Sequence, residues 1–314
     1  MDSSVCITVL NEESVITTLL DLLISQTIEP NEIIIVDGGS TDKTVEIIKH
    51  YQKKFKYIKL LKQKSNRARG RNLAVDVAKN EIIVMTDAGC YPSKNWLENI
   101  TKPFENKNID VVAGFYEMTY KNKLQKAESF FLGVLPNKYS MSFLPSTRSI
   151  AFKKEIWEKV GGFSENLDQA AEDTMFNYQL IKQNAKFARV KNAIVEWGMP
   201  ETLKEYFFKI FTYAKSDAQT KIWHFPGKGH TSHNIKSLFV LLRYLFSLLL
   251  FVLIFSNSLS PFYLISLFFI YIIYSFRKVY LAFGEIDTAL YGVLLQFVTD
   301  FAVISGFLAG LFKK

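Results

Sequence analysis

The chain has 314 residues, of which 49% are hydrophobic, 15% aromatic and 22% charged. That is too apolar for a disordered protein, and the length fits one large domain or two small ones. The net charge of +8 suits a phosphate-bearing ligand or an anionic membrane surface. No basic cluster interleaved with aromatics sits on a nucleic-acid-binding motif, so no nucleic-acid partner is expected.

The averages hide two unlike parts. Residues 237–314 carry only Arg243, Arg277, Lys278, Lys313 and Lys314 against Glu285, Asp287 and Asp300, and their bulk is largely Phe, Leu and Ile. A charged body precedes an apolar tail, which argues against both a uniformly soluble protein and a polytopic transporter. Cys6 and Cys90 lie in or beside strand-like apolar runs and read as reduced core residues, with neither disulfide nor zinc spacing. The N-terminus, MDSSVCITVLNEE, lacks a charged stretch followed by a long apolar core. It does not read as a signal peptide, and the body is expected on the cytosolic side.

The first 115 residues alternate strand and helix signals. Residues 5–10, 32–37, 57–62, 81–87 and 110–115 predict strands. Residues 14–26, 41–54, 67–79 and 94–105 predict helices, with Ser40 and Ser93 as candidate N-caps. Short, continuously apolar strands separated by helices predict an α/β fold with a mostly parallel sheet and helices on both faces. Further on, 150–152 predicts a short strand. Residues 154–160 predict a helix ended by Gly161 and Gly162, and 172–183 predicts another. Three parts are expected: an α/β body over 1–200, a juxtamembrane segment over 201–236 and about three membrane helices over 237–314.

Residues 201–234 predict an amphipathic helix followed by a Gly/Pro loop. Phe207, Phe208, Phe211 and Trp223 near Lys204, Lys209 and Lys215 fit either a membrane interface or packing on the body. His224, His230 and His233 flank the loop, either solvated or touching a ligand. Of the apolar stretches, 238–255 is long enough to span a bilayer, 261–276 is at the low edge, and 290–312 is long enough. Arg243 is expected to snorkel and Asp300 to face a neighbouring helix. The positive-inside rule puts Lys236, Arg277 and Lys278 in the cytosol and 257–260 outside. Lys313 and Lys314 would then end outside, against the rule. The implied location is the plasma membrane, multi-pass, with the α/β body cytosolic and lipid as a partner.

Two carboxylates close buried strands, Asp37 and Asp87. In an open parallel sheet, ligands bind beyond the carboxyl ends of the strands. Asp37 reads equally as a turn residue, since Gly38-Gly39-Ser40-Thr41 follows it. Arg67, Arg69 and Arg71 open a helix, and fit either a diphosphate or a solvated basic face. Asp87 could take a hard divalent cation, Mg²⁺ or Mn²⁺, together with phosphate oxygens and water. Glu172 and Asp173 start a helix, where the dipole favours acids, and they also suit a general base. Neither a P-loop nor a GxGxxG phosphate cradle is present.

In order, VCITVLNEE, IIIVDGGSTDKT, RARGRNLAV, EIIVMTDAGCYP, KVGGFSEN and AEDTMFNYQL resemble the inverting family 2 glycosyltransferases of the GT-A fold, over roughly 1–190. The resemblance implies that Thr8, Leu10, Glu12 and Asp37 hold the nucleotide's base and ribose, and that Arg71 lies near the diphosphate. It implies that Asp87, with Ala88, forms the DxD-type motif on ribose or metal–diphosphate. Asp173, preceded by Glu172, would be the catalytic base. Two departures stand out. Gly89 replaces the second DxD acid, and the Gln-x-x-Arg-Trp signature of processive synthases is absent.

A single-sugar transferase is therefore expected. It would use a nucleotide sugar, UDP before GDP, and a lipid-linked or cell-envelope glycan acceptor. The hydroxyl acceptor would lose its proton to Asp173 while attacking the anomeric carbon, and charge on the leaving diphosphate must be offset. The rivals are a polyprenyl-phosphate glycosyltransferase, a non-catalytic nucleotide-sugar-binding scaffold and a nucleotidyltransferase. The last would want a Gly-rich basic loop where LNEE stands.

Overall fold

The β-branched and apolar runs of the N-terminal half become strands, and the segments between them become helices. The computed structural model describes residues 2–167, 170–225 and 231–312. The elements in chain order are β1 (Ser3–Val9), α1 (Ile16–Ile24), β2 (Glu32–Asp37), α2 (Thr44–Lys54), β3 (Ile58–Lys62), α3 (Arg67–Val77), β4 (Ile82–Met85), β5 (Cys90–Pro92), α4 (Trp96–Thr101) and β6 (Val111–Thr119). There follow α5 (Lys123–Leu132), β7 (Ile150–Lys153), α6 (Lys154–Val160), α7 (Glu172–Lys182), β8 (Phe187–Gly198), α8 (Leu203–Thr220), α9 (His233–Phe255), α10 (Pro261–Phe283) and α11 (Ile286–Leu311). The chain divides into two units. Residues 2–118 and 136–198 form the first; 119–135, 199–225 and 231–312 form the second.

The first unit is built on one eight-stranded sheet of order β3-β2-β1-β4-β7-β6-β8-β5. The pairings β3-β2, β2-β1 and β1-β4 are parallel. From β4 outward the pairings β4-β7, β7-β6 and β8-β5 are antiparallel, with Met85 opposite Ile150 and Cys90 opposite Trp197. The sheet is thus mixed: its parallel half is the one legible in the sequence. Side chains alternate across a strand. Cys6, Ile34, Val36, Ile83 and Met85 pack with Ala68 and Ala74 of α3, Ile156 of α6 and Phe176 and Leu180 of α7. The alternate residues Val5, Ile7, Ile33, Ile35 and Val84 are equally buried, so both faces are covered, as continuous apolar strands require.

A Phe152–Phe163–Phe176 cluster lies beneath the helix that carries the Glu-Asp pair, with Phe163 and Phe176 centroids 4.3 Å apart. The Gly161-Gly162 turn is held by Asn72. Its Nδ2 donates to the Phe163 carbonyl and its Oδ1 accepts from the Phe163 amide, both at 2.8 Å. Gly162 has φ +72, and a Cβ there would come 2.8 Å from Asn72 Oδ1, so only glycine fits. Cys6 and Cys90 are buried core residues.

Both expected serine caps are replaced. Helix α2 starts at Thr44, not 41, and Asp42 accepts from the Thr44 amide. Ser40 Oγ instead accepts from the Asn11 amide. Helix α4 starts at Trp96, and Ser93 Oγ bonds Asn95 Oδ1. In both places the chain makes a turn before the helix begins, so the serine is spent on the turn.

In the second unit, α8 lies along α11. A Cβ on Gly306 would come 2.3 Å from the Phe211 carbonyl oxygen, and one on Gly310 would come 2.2 Å from that of Lys215. The two backbones touch at this small-residue stripe. The Tyr206 and Ile210 face of α8 packs on α11 and α5 within the second unit, a partner that neither reading left open for this helix had named, while Phe208 is exposed. Trp223 lies beyond the helix end and meets Phe307 edge-on. Helix α5 belongs to this unit and packs on α11. The stretch 119–135 therefore separates from the rest of 1–200.

Helices α9, α10 and α11 are long and apolar enough to cross a membrane. Twenty-three residues at 1.5 Å rise reach about 35 Å, against a hydrocarbon core of roughly 30 Å. Helix α10 does not stop at 276. It runs through Arg277 and Lys278 to Phe283, and Gly284 at φ +70 ends it. The two cations expected in a cytosolic link are thus helical, with Lys278 bonded to Gln296 Oε1 and 4.6 Å from the Phe131 ring. Arg243 does not snorkel. Its Nη2 lies 2.7 Å from Asp300 Oδ2, and its guanidinium sits 4.5 Å from the Tyr271 ring. Asp300 faces its neighbours, as expected: it also accepts from Tyr244, Tyr271 and Gln296. His233 pairs with Asp217 at 2.8 Å, and His224 bridges to Thr231. His230, Lys313 and Lys314 lie outside the described residues.

Candidate active site

The three parallel strands β1, β2 and β4 point the same way, so the segments following them gather at one sheet edge. Asp37 ends β2 opposite Val9, and Asp87 follows β4 by two residues. Helices α3 and α7 bring Arg71 and the Glu172-Asp173 pair to the same edge. Asn66 caps α3 by accepting from the Arg69 amide at 2.9 Å, which fixes the first turn that presents Arg71.

Arg71 is only 3% exposed and holds two carboxylates. Nη2 donates to Asp87 Oδ1 at 2.5 Å, and Nη1 donates to Glu172 Oε1. Its guanidinium lies 5.9 Å from the Phe163 ring. Residues 71, 87 and 172, distant in sequence, are therefore one bonded cluster. The remaining Asp87 oxygen accepts from the Thr147 hydroxyl at 3.3 Å. Burial pushes the Asp87 carboxyl up, but the guanidiniums of Arg71, Arg67 and Arg148 outweigh it and hold it below the usual carboxylate range.

Asp173 stands beside this cluster in a different environment. It is half-buried, and its Oδ1 accepts from the Thr174 amide at 2.8 Å. Burial first, and the Glu172 charge second, raise its carboxyl to about 6, against the pull of Arg148 and Arg71. Two acids on one sheet edge are thus driven in opposite directions, the pattern that separates a proton acceptor from a permanently charged binder. Ala171, just before the pair, has φ +65 and ψ 7. An L-residue held left-handed stores strain of order 1–2 kcal/mol.

Other expected contacts are placed less directly. Thr8 is half-buried against Gly70, where a Cβ would come 2.9 Å from Thr8 Cγ2. Leu10 is exposed. The Asp37 carboxylate is buried and accepts from the Gly39 and Ser40 amides at 3.2 and 3.1 Å, so it organises the turn. Glu12 is half-buried and its amide donates to Thr44 Oγ1 at 2.7 Å. Burial pushes its carboxyl up, opposed by Arg67 and reinforced by Asp87 and Asp42. Ala88 is half-buried and offers no side-chain donor. Arg67 and Arg69 are exposed.

The donor set at Asp87 does not fit a cation held by the protein. One Asp87 oxygen is bonded to Arg71 and the other to Thr147. Gly89 has no side chain and sits at φ +78, a conformation that disfavours an L-residue. No group of three metal-type ligands occurs among the described residues.

Thr147, Arg148 and Trp197 escaped the sequence reading. They reach the site only because β7 runs antiparallel to β4 and β8 to β5. The Met85–Ile150 register lays the residues before Ile150 against those after Met85. The Cys90–Trp197 register does the same for β8. Arg148 stacks on Trp197, with its guanidinium carbon 3.8 Å from the ring centroid.

Several glycosyltransferases are similar in sequence. A glycosyltransferase of Haloferax volcanii is 28% identical over 52% of this chain and 56% of its own length. One of Streptococcus pneumoniae is 30% identical over 36% of this chain and 38% of its own; the chain thus matches about half or less of these relatives. A Methanococcus voltae enzyme, a dolichyl N-acetyl-glucosaminyl phosphate diacetamido-dideoxy-glucuronosyltransferase, is 26% identical over 67% of this chain and 71% of its own length.

Among solved structures, a mannosyltransferase from Pyrobaculum calidifontis in complex with GDP-Man and Mn²⁺ covers 94% of this chain and 86% of that one. Its TM-score is 0.65 at 19% identity. Staphylococcus aureus TarS with UDP-GlcNAc gives 0.51 at 21% identity, over 71% and 68%. Both likenesses concern the fold. Residues 4–163, half of the chain, match the model of Glycosyl transferase family 2, and with the GT-A architecture around the Asp87 and Glu172-Asp173 acids, the chain belongs to that glycosyltransferase family.

Proposed function

We propose that this protein is a membrane-anchored inverting glycosyltransferase. It moves one sugar from a nucleoside-diphosphate sugar, UDP before GDP, to a lipid-linked or cell-envelope glycan acceptor. The carrying observation is the acid pair at one sheet edge: Asp87 held ionised by guanidiniums, and Asp173 raised to about 6. The first suits a permanently ionised acceptor for hydroxyl groups of the donor; the second suits a base poised near neutral pH.

In the reaction, Asp173 takes the proton of the acceptor hydroxyl. That oxygen forms its bond to the anomeric carbon as the bond from that carbon to the diphosphate oxygen breaks. The electron pair leaves with the diphosphate, and the anomeric centre inverts. Arg71 keeps Asp87 and Glu172 in place, and the other guanidiniums near Asp87 face the developing charge. Thr8, Leu10, Glu12 and Asp37 border the nucleoside end, where the backbone of the Asp37 turn and Ala88 shape the floor. Mn²⁺ accompanies the donor in the Pyrobaculum neighbour; a cation here would rest on donor oxygens and water rather than on protein ligands.

The lipid-linked acceptor is favoured by the three apolar helices and by the dolichyl-phosphate-linked substrate in the Methanococcus relative's name. The anchoring, a multi-pass plasma-membrane location and a cytosolic catalytic unit belong to the same reading. The test is a panel of UDP and GDP sugars with detergent-solubilised protein, following binding and slow hydrolysis. One donor is expected to bind, and Asp173→Asn is expected to turn it over about 10²–10⁴-fold more slowly. Wild-type turnover in that variant would remove Asp173 as the base. Binding of a donor with no turnover would favour the non-catalytic nucleotide-sugar-binding scaffold, and failure of every donor to bind would refute the transferase reading.

A further inference from the structure

We propose that α11 does not cross the bilayer. Only the α9–α10 hairpin crosses, while α11 lies beside α8 in the membrane interface on the side of the first unit, with one apolar stripe against lipid. This rests on the membrane anchoring proposed above, not on the transferase chemistry.

Only certain segments can cross. Among the described residues, α9, α10 and α11 alone are long and apolar enough. The stretches 119–135 and 199–225 hold no such helix, so α5 and α8 stay on the side of the residues that precede them. Helix α8 also carries Lys204, Glu205, Lys209, Lys215 and Asp217, too many charges for a bilayer core.

Both ends of α11 are tied to these two helices. At its start, Glu285 pairs with Lys123 and Lys126 of α5, each at 2.7 Å. Toward its end, Phe307 meets Trp223 edge-on, and Gly310 packs against the Lys215 carbonyl. The first turn of α9 is fixed at the same place, because Asn234 Nδ2 donates to the Asp217 and Ile222 carbonyls at 3.0 Å. Helix α9 therefore starts where α11 finishes. With three crossings, those two points would lie on opposite faces of the membrane. With two, they lie on one face.

The charges agree. Helix α8 runs parallel to α11: Tyr206 Oη bonds Thr299 Oγ1 at 2.5 Å, and Phe211 and Lys215 lie against Gly306 and Gly310. Thr299 is about 20 Å from the start of α11, near the middle of the helix. A crossing α11 would hold Lys204 and Glu205, both exposed and just before Tyr206, at mid-bilayer. Leu290, Leu294, Phe301 and Phe312 are exposed and recur at helical spacing, the single apolar stripe of an interfacial helix. The hairpin differs: residues 244–276 carry no charge. Lys236, Arg277, Lys278, Lys313 and Lys314 then share one side, which removes the exception to the positive-inside rule.

The experiment labels the full chain with a membrane-impermeant maleimide, in intact cells and in sealed vesicles that turn the cytosolic face outward. It uses Lys53→Cys on exposed α2, Ser258→Cys at the hairpin tip and Phe312→Cys just past α11. Wild type, whose Cys6 and Cys90 are buried, sets the background, and melting checks each fold. Lys53→Cys and Phe312→Cys are expected to label in the vesicles and to lose labelling in intact cells, with Ser258→Cys the reverse. Alkaline phosphatase fused after Lys314, active only once exported, is expected to stay inactive, while green fluorescent protein fused there fluoresces.

Labelling of Phe312→Cys from the side opposite Lys53→Cys, or an active phosphatase fusion, overturns the assignment. Labelling of Ser258→Cys from the Lys53→Cys side overturns the crossing hairpin. Release of wild type from the vesicles by an alkaline wash refutes the anchoring reading itself.

Discussion

Replacing Arg71 by Met keeps the length of the buried stem and removes the cation shared by the buried Glu172 and the half-buried Asp87 carboxylates. Arg71 is 3% exposed, Glu172 is 5% exposed, and Nη2 lies 2.5 Å from Asp87. Removing one partner of a buried ion pair costs about 3–5 kcal/mol, because the other charge is left without compensation. Here Glu172 loses its partner, and Asp87 keeps only the more distant pull of Arg67 and Arg148. At roughly 2–4 °C per kcal/mol for a domain of this size, the first unit is expected to melt about 6–20 °C lower at pH 7. The penalty is pH-dependent with a definite sign. Arg71 holds the Asp87 carboxyl below its ordinary value, so the stabilisation is complete above the unfolded carboxylate range and is lost as pH falls through the folded value. In the variant, the uncompensated acids are relieved by protonation as the medium becomes acidic. The gap between wild type and Arg71→Met should therefore be widest near pH 7–8 and close toward pH 4. Thermal melts in detergent over that range, followed by near-ultraviolet circular dichroism, read it directly. A melting temperature within about 2 °C of wild type at pH 7 would refute the shared-cation reasoning, and so would a gap that is constant with pH.

The Asp173 carboxyl, raised to about 6 by burial and by Glu172, predicts a transfer rate that climbs with pH through about 6 and levels above it; a flat profile between pH 5 and 8 would remove it as the titrating base. Because burial disfavours its ionised form, Asp173→Asn should melt no lower than wild type at pH 7.5 while losing turnover, and a large drop in melting temperature would mean a structural role instead. Gly306→Leu pushes a side chain into the Phe211 carbonyl, and overpacking of this kind costs about 1–3 kcal/mol or more; limited proteolysis should cut the second unit faster than in wild type. Asp300→Leu strands Arg243 among apolar helices, so adding Arg243→Leu should restore melting temperature; a double variant worse than the single one would contradict the pairing.

The parallel half of the sheet was legible because buried strands write themselves as continuous apolar runs, such as EIIIVD and EIIVM, and their ends carry Asp37 and Asp87. Helix starts were less so. Ser40 and Ser93 have the chemistry of caps, but a turn and a helix N-terminus use the same side-chain bonds, and the backbone path chooses between them. The extent of α10 was misjudged for a related reason: Arg277 and Lys278 look like a loop until α5 and α11 supply aromatic and amide partners for the half-buried Lys278 amine.

Local chemistry along the chain determined which residue types stand at the ends of strands and helices: the acids at 37, 87, 172 and 173 and the arginine at 71. Which of them act together was decided by the tertiary structure. Pairing β7 against β4 and β8 against β5 brought Thr147, Arg148 and Trp197 onto the Asp87 loop, and antiparallel registers between distant segments leave no periodic trace in sequence. Burial then set the charges. The same carboxyl group is held low at Asp87 by three guanidiniums and raised at Asp173 by desolvation and a neighbouring acid, a difference that exists only once the chain has folded around them.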